Sequence, residues 1–162
     1  MESALYKLLN KKKPQILSKW QPVALSYANN TPVIAQKNKG RFSDPMSYVI
    51  IKNTEEILNW VIKAAEKNMD LVIPLDEICK IKAIQDLKPR EALSFIFFLK
   101  QIIREEIEDQ SKINDWAVEL WELDKRIDEV GLLAFDIYSE CRTRIYDLRV
   151  NEIKRMYGRD EG

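Results

Sequence analysis

The chain has 162 residues, 46% of them apolar and 32% charged, with 26 acidic and 26 basic side chains and no histidine. This composition predicts one soluble domain, residues 1–162, and its zero net charge gives no general attraction to nucleic acid or to an anionic membrane. The missing histidine removes the commonest general base, zinc ligand and haem ligand. Cys79 and Cys141 lack a CxxC spacing, which predicts a reducing, cytoplasmic setting rather than a disulfide framework or a structural zinc site.

The Lys11-Lys12-Lys13 run reads as a solvated helix end before Pro14, which is expected to separate a first helix (about 2–11) from a second (about 14–29). Asn29-Asn30-Thr31-Pro32 is a turn cluster, and residues 33–43 read as a polar loop. Asp44 can cap a helix opened by Pro45, running to about Asn68 with Tyr48, Val49, Ile57, Trp60, Val61 and Ala64 on its apolar face. Ile73-Pro74-Leu75-Asp76-Glu77 opens another, ending near Asp86, with two acids expected in its first turn. Lys88-Pro89-Arg90-Glu91 starts a helix over about 89–109. Its middle (Leu93, Phe95, Ile96, Phe97, Phe98, Leu99, Ile102 and Ile103) is apolar nearly all round, so it is expected to be covered on several sides. The charge-free run Ala92–Leu99 is far shorter than the ~20 residues a membrane span requires, so no membrane insertion is expected.

Ser111–Asp115 links to a long last helix, 115–157, with Gly131 inside it and Gly158 as a stop. Trp116, Leu120, Leu123, Ile127, Val130, Ala134, Ile137 and Cys141 step by four and three. Leu148 follows one heptad later, with Arg144 in the intervening slot. That 3.5-residue period marks a seam facing another helix. Such a helix would be roughly 65 Å long, against a radius of gyration of about 15 Å for a compact chain of this length. It must break or project in part, and a projecting apolar seam needs a partner. No segment alternates strictly, so no sheet is expected.

Little here assembles into chemistry. Asp124, Asp128, Asp136 and Glu140 could suggest paired metals, but the Glu-x-x-His motifs of di-iron bundles are missing. Pairs such as Glu122 with Arg126 read as a solvated face. Cys79 and Cys141 read as small buried hydrophobes, and the glycines lack phosphate-loop spacing. Trp20, Trp60, Trp116 and Trp121 read as core fillers or interface anchors. Phe95, Phe97, Phe98 and Phe135 could line an apolar pocket, with Phe95, Phe98 and Phe135 singled out for it, although plain core packing is the simpler account of them. No enzyme, metal site or cofactor is expected.

Longer motifs carry a resemblance. They are Arg41-Phe42-Ser43-Asp44-Pro45, then Leu75-Asp76-Glu77-Ile78 with Lys82-Ala83-Ile84-Gln85-Asp86, then Lys88-Pro89-Arg90-Glu91-Ala92 running into Phe95–Lys100. The last block holds Leu132–Tyr138, Cys141-Arg142, Ile145-Tyr146 and Arg149–Arg155. With these the chain resembles the RsbRD N-terminal domain, from the RsbT co-antagonists of the bacterial stressosome. The resemblance is strong from about 75 to 157 and weak before 40, and its motifs hold no catalytic residue. It implies an all-α, globin-like bundle of about five to six helices that lacks haem, dimerises, and senses rather than catalyses. A simple antiparallel bundle has the same helical periods. In the RsbR proteins the last helix leads into a STAS domain; this sequence ends at Gly162, so the input module is what is expected to carry over.

Two functions follow as expectations. In the first, the chain is a sensory or regulatory module forming a homodimer, or docking another regulatory protein, through Ile137, Cys141, Ile145, Leu148 and Ile153. In the second, it is a small-molecule carrier or redox accessory protein holding an apolar ligand or an unusual haem. The sequence names no small-molecule ligand and predicts no nucleic-acid partner.

Overall fold

The computed structural model describes residues 3–26, 44–63, 68–108 and 113–158. Among them are five α-helices and no strand: α1 (Ala4–Leu25), α2 (Pro45–Ile62), α3 (Val72–Ile84), α4 (Pro89–Ile107) and α5 (Ala117–Gly158). Short 3₁₀ turns, Asn68–Leu71 and Ile113–Trp116, lead into α3 and α5. The all-α class and the long last helix are those the periodicity requires. The turn cluster, the polar loop, the Arg41-Phe42-Ser43 part of the motif, Ala64 and Ser111 lie outside the described residues.

The helices pack as a closed ring. Helix α5 lies against α3 and α4, α1 bridges α4 and α2, and α2 closes onto α3. All five contribute to one hydrophobic cluster inside the ring.

Helix α1 runs unbroken through Pro14, where a break was expected. An internal proline costs about 3 kcal/mol in lost hydrogen bonding and ring clash. Yet Leu5, Leu9, Ile16, Trp20 and Ala24, on both sides of it, are fully buried on one stripe. Each large apolar side chain gains about 1.5–3 kcal/mol on burial, so the stripe outweighs the proline. Trp20 anchors it: the indole N–H donates to the Phe95 carbonyl at 2.7 Å, and the two rings lie 5.8 Å apart.

Helix α2 starts as expected, with the Asp44 carboxylate accepting from the Met46 N–H at 3.0 Å and from the Ser47 hydroxyl. It ends at Ile62, short of the expected Asn68, and Tyr48 is exposed rather than on the buried face. Helix α3 begins at Val72, so Asp76 and Glu77 fall past the first turn, and the helix-dipole argument for them does not apply. Glu77 accepts a hydrogen bond from the buried Asn53 amide, 2.7 Å away, tying α3 to α2.

Basic side chains reach the C-terminal ends of three helices, where carbonyls are left without intrahelical donors. The Lys82 amine donates to the Ala24 carbonyl at 2.8 Å, near the end of α1. The Arg126 guanidinium donates to the carbonyls of Trp60, Val61 and Lys63 at the end of α2 and stacks over the Trp60 ring. Arg142 donates to the Leu87 carbonyl at 2.8 Å, beside the Tyr138 hydroxyl on the same acceptor. That turn closes α3 through Asp86, whose φ of 57° lies in the left-handed region usually filled by glycine.

Helix α5 carries the seam. Leu120, Leu123, Ile127, Val130, Ala134, Ile137 and Cys141 are all buried against the body, and Trp116 just before them is buried too. The partner that the heptad pattern demands is therefore within the same chain for this stretch.

Candidate functional site

Beyond Ile145 the helix leaves the body. Tyr146, Leu148, Ile153, Met156 and Tyr157 are all exposed, as is every residue from Asn151 to Gly158. We call this stretch the tail. It is about 20 Å of helix.

The five residues expected at a docking interface fall into two groups. Ile137 is 8% exposed and Cys141 3%, both packed in the core, and Ile145 is half-buried against it. The Cys141 thiol donates to the Asp76 carboxylate on α3 at 3.8 Å. Leu148 and Ile153, 65% and 55% exposed, remain available to a partner. The buried seam ends at Cys141; Leu148 carries its line on into solvent, and Ile153 lies on another face of the helix. Past Leu148 the seam's own positions turn to Glu152 and Arg155.

A second stripe runs down the outside of α5. Leu132, Phe135, Ser139, Tyr146, Val150, Ile153 and Tyr157 follow one another by three, four or seven residues, so they share a face. Leu132, Phe135, Tyr146, Ile153 and Tyr157 are more than half exposed. Beside its upper end lies an apolar groove of about 630 Å³ between α4 and α5, with Leu93, Phe97 and Phe98 on one wall and Leu132 and Phe135 on the other. Arg90 and Gln101 stand at its rim.

Helix α4 is thus bare along one side, where the sequence reading expected cover on several: Phe97 and Phe98 are each 46% exposed. Gly131 explains how Phe97 comes to lie there. A Cβ at that position would sit 2.4 Å from the tip of the Phe97 ring, so the ring rests on glycine backbone. Lys100, whose amine pairs with Asp128, lies 5.8 Å from the centre of the same ring. Of the three phenylalanines expected to line a pocket, Phe98 and Phe135 meet at this groove. Phe95 sits in the core between Trp20 and the Lys82 amine.

The other candidates lead away from chemistry. Burial pushes the Cys79 thiol up to about 12, and burial followed by the Asp76 charge raises Cys141, so neither is an activated nucleophile. Burial lowers the Lys82 amine to about 8. Trp20, Trp60 and Trp116 fill the core, whereas Trp121 is exposed under the Lys125 amine. Among the described residues no group of three or more acidic or thiol side chains could hold a metal ion, and no helix is long and apolar enough to cross a membrane. Two signals could have revealed the bare face from sequence: the outer heptad from Leu132 to Tyr157, and a lone glycine within a long helix.

These features define an all-helical protein whose distinguishing surface is an apolar helix face running onto a projecting tail. Residues 26–153 match the family model of the RsbT co-antagonist protein rsbRD N-terminal domain, and the chain belongs to that family of regulatory sensory domains. No curated protein and no solved structure matches it. Family membership implies interaction with regulatory proteins.

Proposed function

We propose that residues 1–162 form a single haem-free, non-enzymatic sensory module that acts by docking through the C-terminal helix, onto a second copy of itself or onto another regulatory protein. The observation that carries this reading is the exposed tail. A helix this short is marginal in water on its own, and its bare apolar residues gain by being covered. The family's regulatory character supports docking over catalysis. The missing histidine removes the usual proximal ligand of haem, which supports the haem-free reading.

The groove between α4 and α5 supports one rival reading, a carrier of an apolar ligand. Native mass spectrometry of the full chain separates the two. A dimer without added mass is the expected result. A monomer carrying an extra, extractable mass would refute self-docking and favour the carrier.

A further inference from the structure

We infer that the α4–α5 groove reversibly binds a small amphiphile, a single alkyl chain ending in an anionic head, with the chain along the groove and the head at Arg90. This goes beyond the docking reading, which concerns the tail, and gives the module a ligand to sense.

The first argument is the lining. The groove's walls are the side chains of Leu93, Phe97 and Phe98 on α4 and of Leu132 and Phe135 on α5. Among its lining residues, Ser94 is the one polar side chain between the two ends. An extended peptide would leave its amide groups unpaired on such walls. An alkyl chain has none to pair, and each methylene it buries is favourable. At about 630 Å³ the groove also falls within the size range of small-molecule sites. Gly131 deepens it, because the Phe97 ring lies down on the glycine backbone.

The second argument is length and polarity. From Arg90 to Gln101 the groove follows α4 for about 17 Å, room for an extended chain such as that of laurate. Its two ends differ in charge. Arg90 stands exposed in the first turn of α4 and makes no ion pair among the described residues. The helix dipole adds positive potential at that end. The acids of the same turn are engaged: the Glu91 carboxylate accepts from the Lys88 N–H at 3.1 Å, and Asp86 faces the Arg142 guanidinium at 3.5 Å. At the far end Asp128 and Asp124 neutralise Lys100 and Arg104, and the Gln101 amide donates to the Glu105 carboxylate at 2.9 Å. An anionic head is therefore drawn to Arg90, and the chain runs toward Gln101.

The third argument is access. Phe97 and Phe98 are each 46% exposed, Leu132 64% and Phe135 53%, so the groove is open along one side. It covers an alkyl chain only in part, and the ligand exchanges with its free pool instead of surviving purification. That is the behaviour of a signal, whereas a carrier retains its cargo.

The test is titration of the full chain with laurate below its micellar concentration, followed by amide NMR. Dodecyltrimethylammonium, the same chain length with a cationic head, is the comparison probe. Laurate is expected to saturate, to shift the amides of Leu93, Phe97 and Gly131, and to bind about fivefold or more tighter than the cationic probe. Arg90→Glu is expected to weaken laurate about tenfold and to strengthen the cationic probe. A glutamate in the first turn of a helix suits the dipole, so this variant folds. Gly131→Ala, which pushes the Phe97 ring into the groove, is expected to weaken both probes alike. Equal affinity for the two probes with no response to Arg90→Glu overturns the inference, leaving only apolar adhesion. Shifts confined to Tyr146–Tyr157 overturn it by placing laurate on the tail, and absence of binding overturns it outright. Sedimentation of the same samples keeps docking separate. A chain that self-associates but ignores laurate sinks this inference alone, and one that binds laurate but stays monomeric sinks self-docking alone.

Discussion

The two ends of α5 are built from the same repeating pattern and put to opposite uses. From Leu120 to Cys141 the seam is buried among α3, α4 and the core. From Tyr146 onward the helix runs clear of the core, with Tyr146 and Arg149 still beside the end of α3, and keeps large apolar residues in water. A heptad repeat states that a helix has a partner and leaves open whether that partner lies within the chain. What separates the ends is the second face: apolar in the tail, and interrupted in the body by charged residues such as Asp128, which pairs with Lys100.

The largest effect that would sharpen this contrast lies in the body. Trp20→Ala removes a fully buried ring, its contact with Phe95 and its hydrogen bond. A loss of about 3–5 kcal/mol is expected in urea unfolding. A loss below about 1 kcal/mol would show that the α1–α4 contact is not part of the core.

Lys82 gives the next effect, and it depends on pH. Its amine titrates at about 8 in the folded chain, against an ordinary value of 10.5. Below pH 8 both states are charged and the folded state bears the burial cost. Between about 8 and 10.5 the unfolded state holds more protons, so this group makes stability rise with pH by up to about 3 kcal/mol. Lys82→Met abolishes that rise, at the cost of about 1 kcal/mol for the lost bond to the Ala24 carbonyl. The variant should therefore be the more stable by about 2 kcal/mol at pH 7, with the advantage gone by about pH 10. Tyr6, Tyr138 and Cys141 are common to both chains and cancel in the difference, while Cys79, whose thiol the Lys82 charge lowers, is pushed further up in the variant and so stays above this window. Parallel stability curves across that window would show that the amine is not buried as described.

Much of the body was legible because burial leaves a period. The seam from Trp116 to Cys141, the Asp44 cap and the Pro89 start can each be read from spacing and residue type. Three things could not be. Pro14 reads locally as a break, and only the long-range contact of Trp20 with Phe95 shows why the helix survives it. Nothing in the sequence marks Lys82 as buried, since its burial depends on α1 ending beside α3. Ile137 and Cys141 read as interface because a seam looks the same whether it is filled from within or from outside. The groove was half legible. Phe98 and Phe135 belong to it, but Phe95, three residues from Phe98 on the same helix, is turned inward to Trp20.

Gly131→Ala tests whether groove and body are separable. The new methyl must displace the Phe97 ring, which is half exposed and free to swing, while alanine favours the helix by about 1 kcal/mol over glycine. Net stability should stay within about 1 kcal/mol of wild type while the ring moves into the groove, visible as a shifted Phe97 aromatic resonance. A loss beyond about 2 kcal/mol would mean that the ring is held in place as core.

The smallest effect concerns the tail. Ile153 is more than half exposed and packs against nothing in its own chain, so Ile153→Asp should change the stability of the isolated chain by no more than about 0.5 kcal/mol. The measurement must be made dilute enough that the wild type is also monomeric. At higher concentration any partner that binds the folded form raises the wild-type melting temperature by mass action, and the variant forgoes that gain. The pair of melting temperatures should therefore coincide when dilute and separate on concentrating. Curves that differ by the same amount at every concentration would mean that the tail is held by its own body, which would erase the division of α5 into two uses.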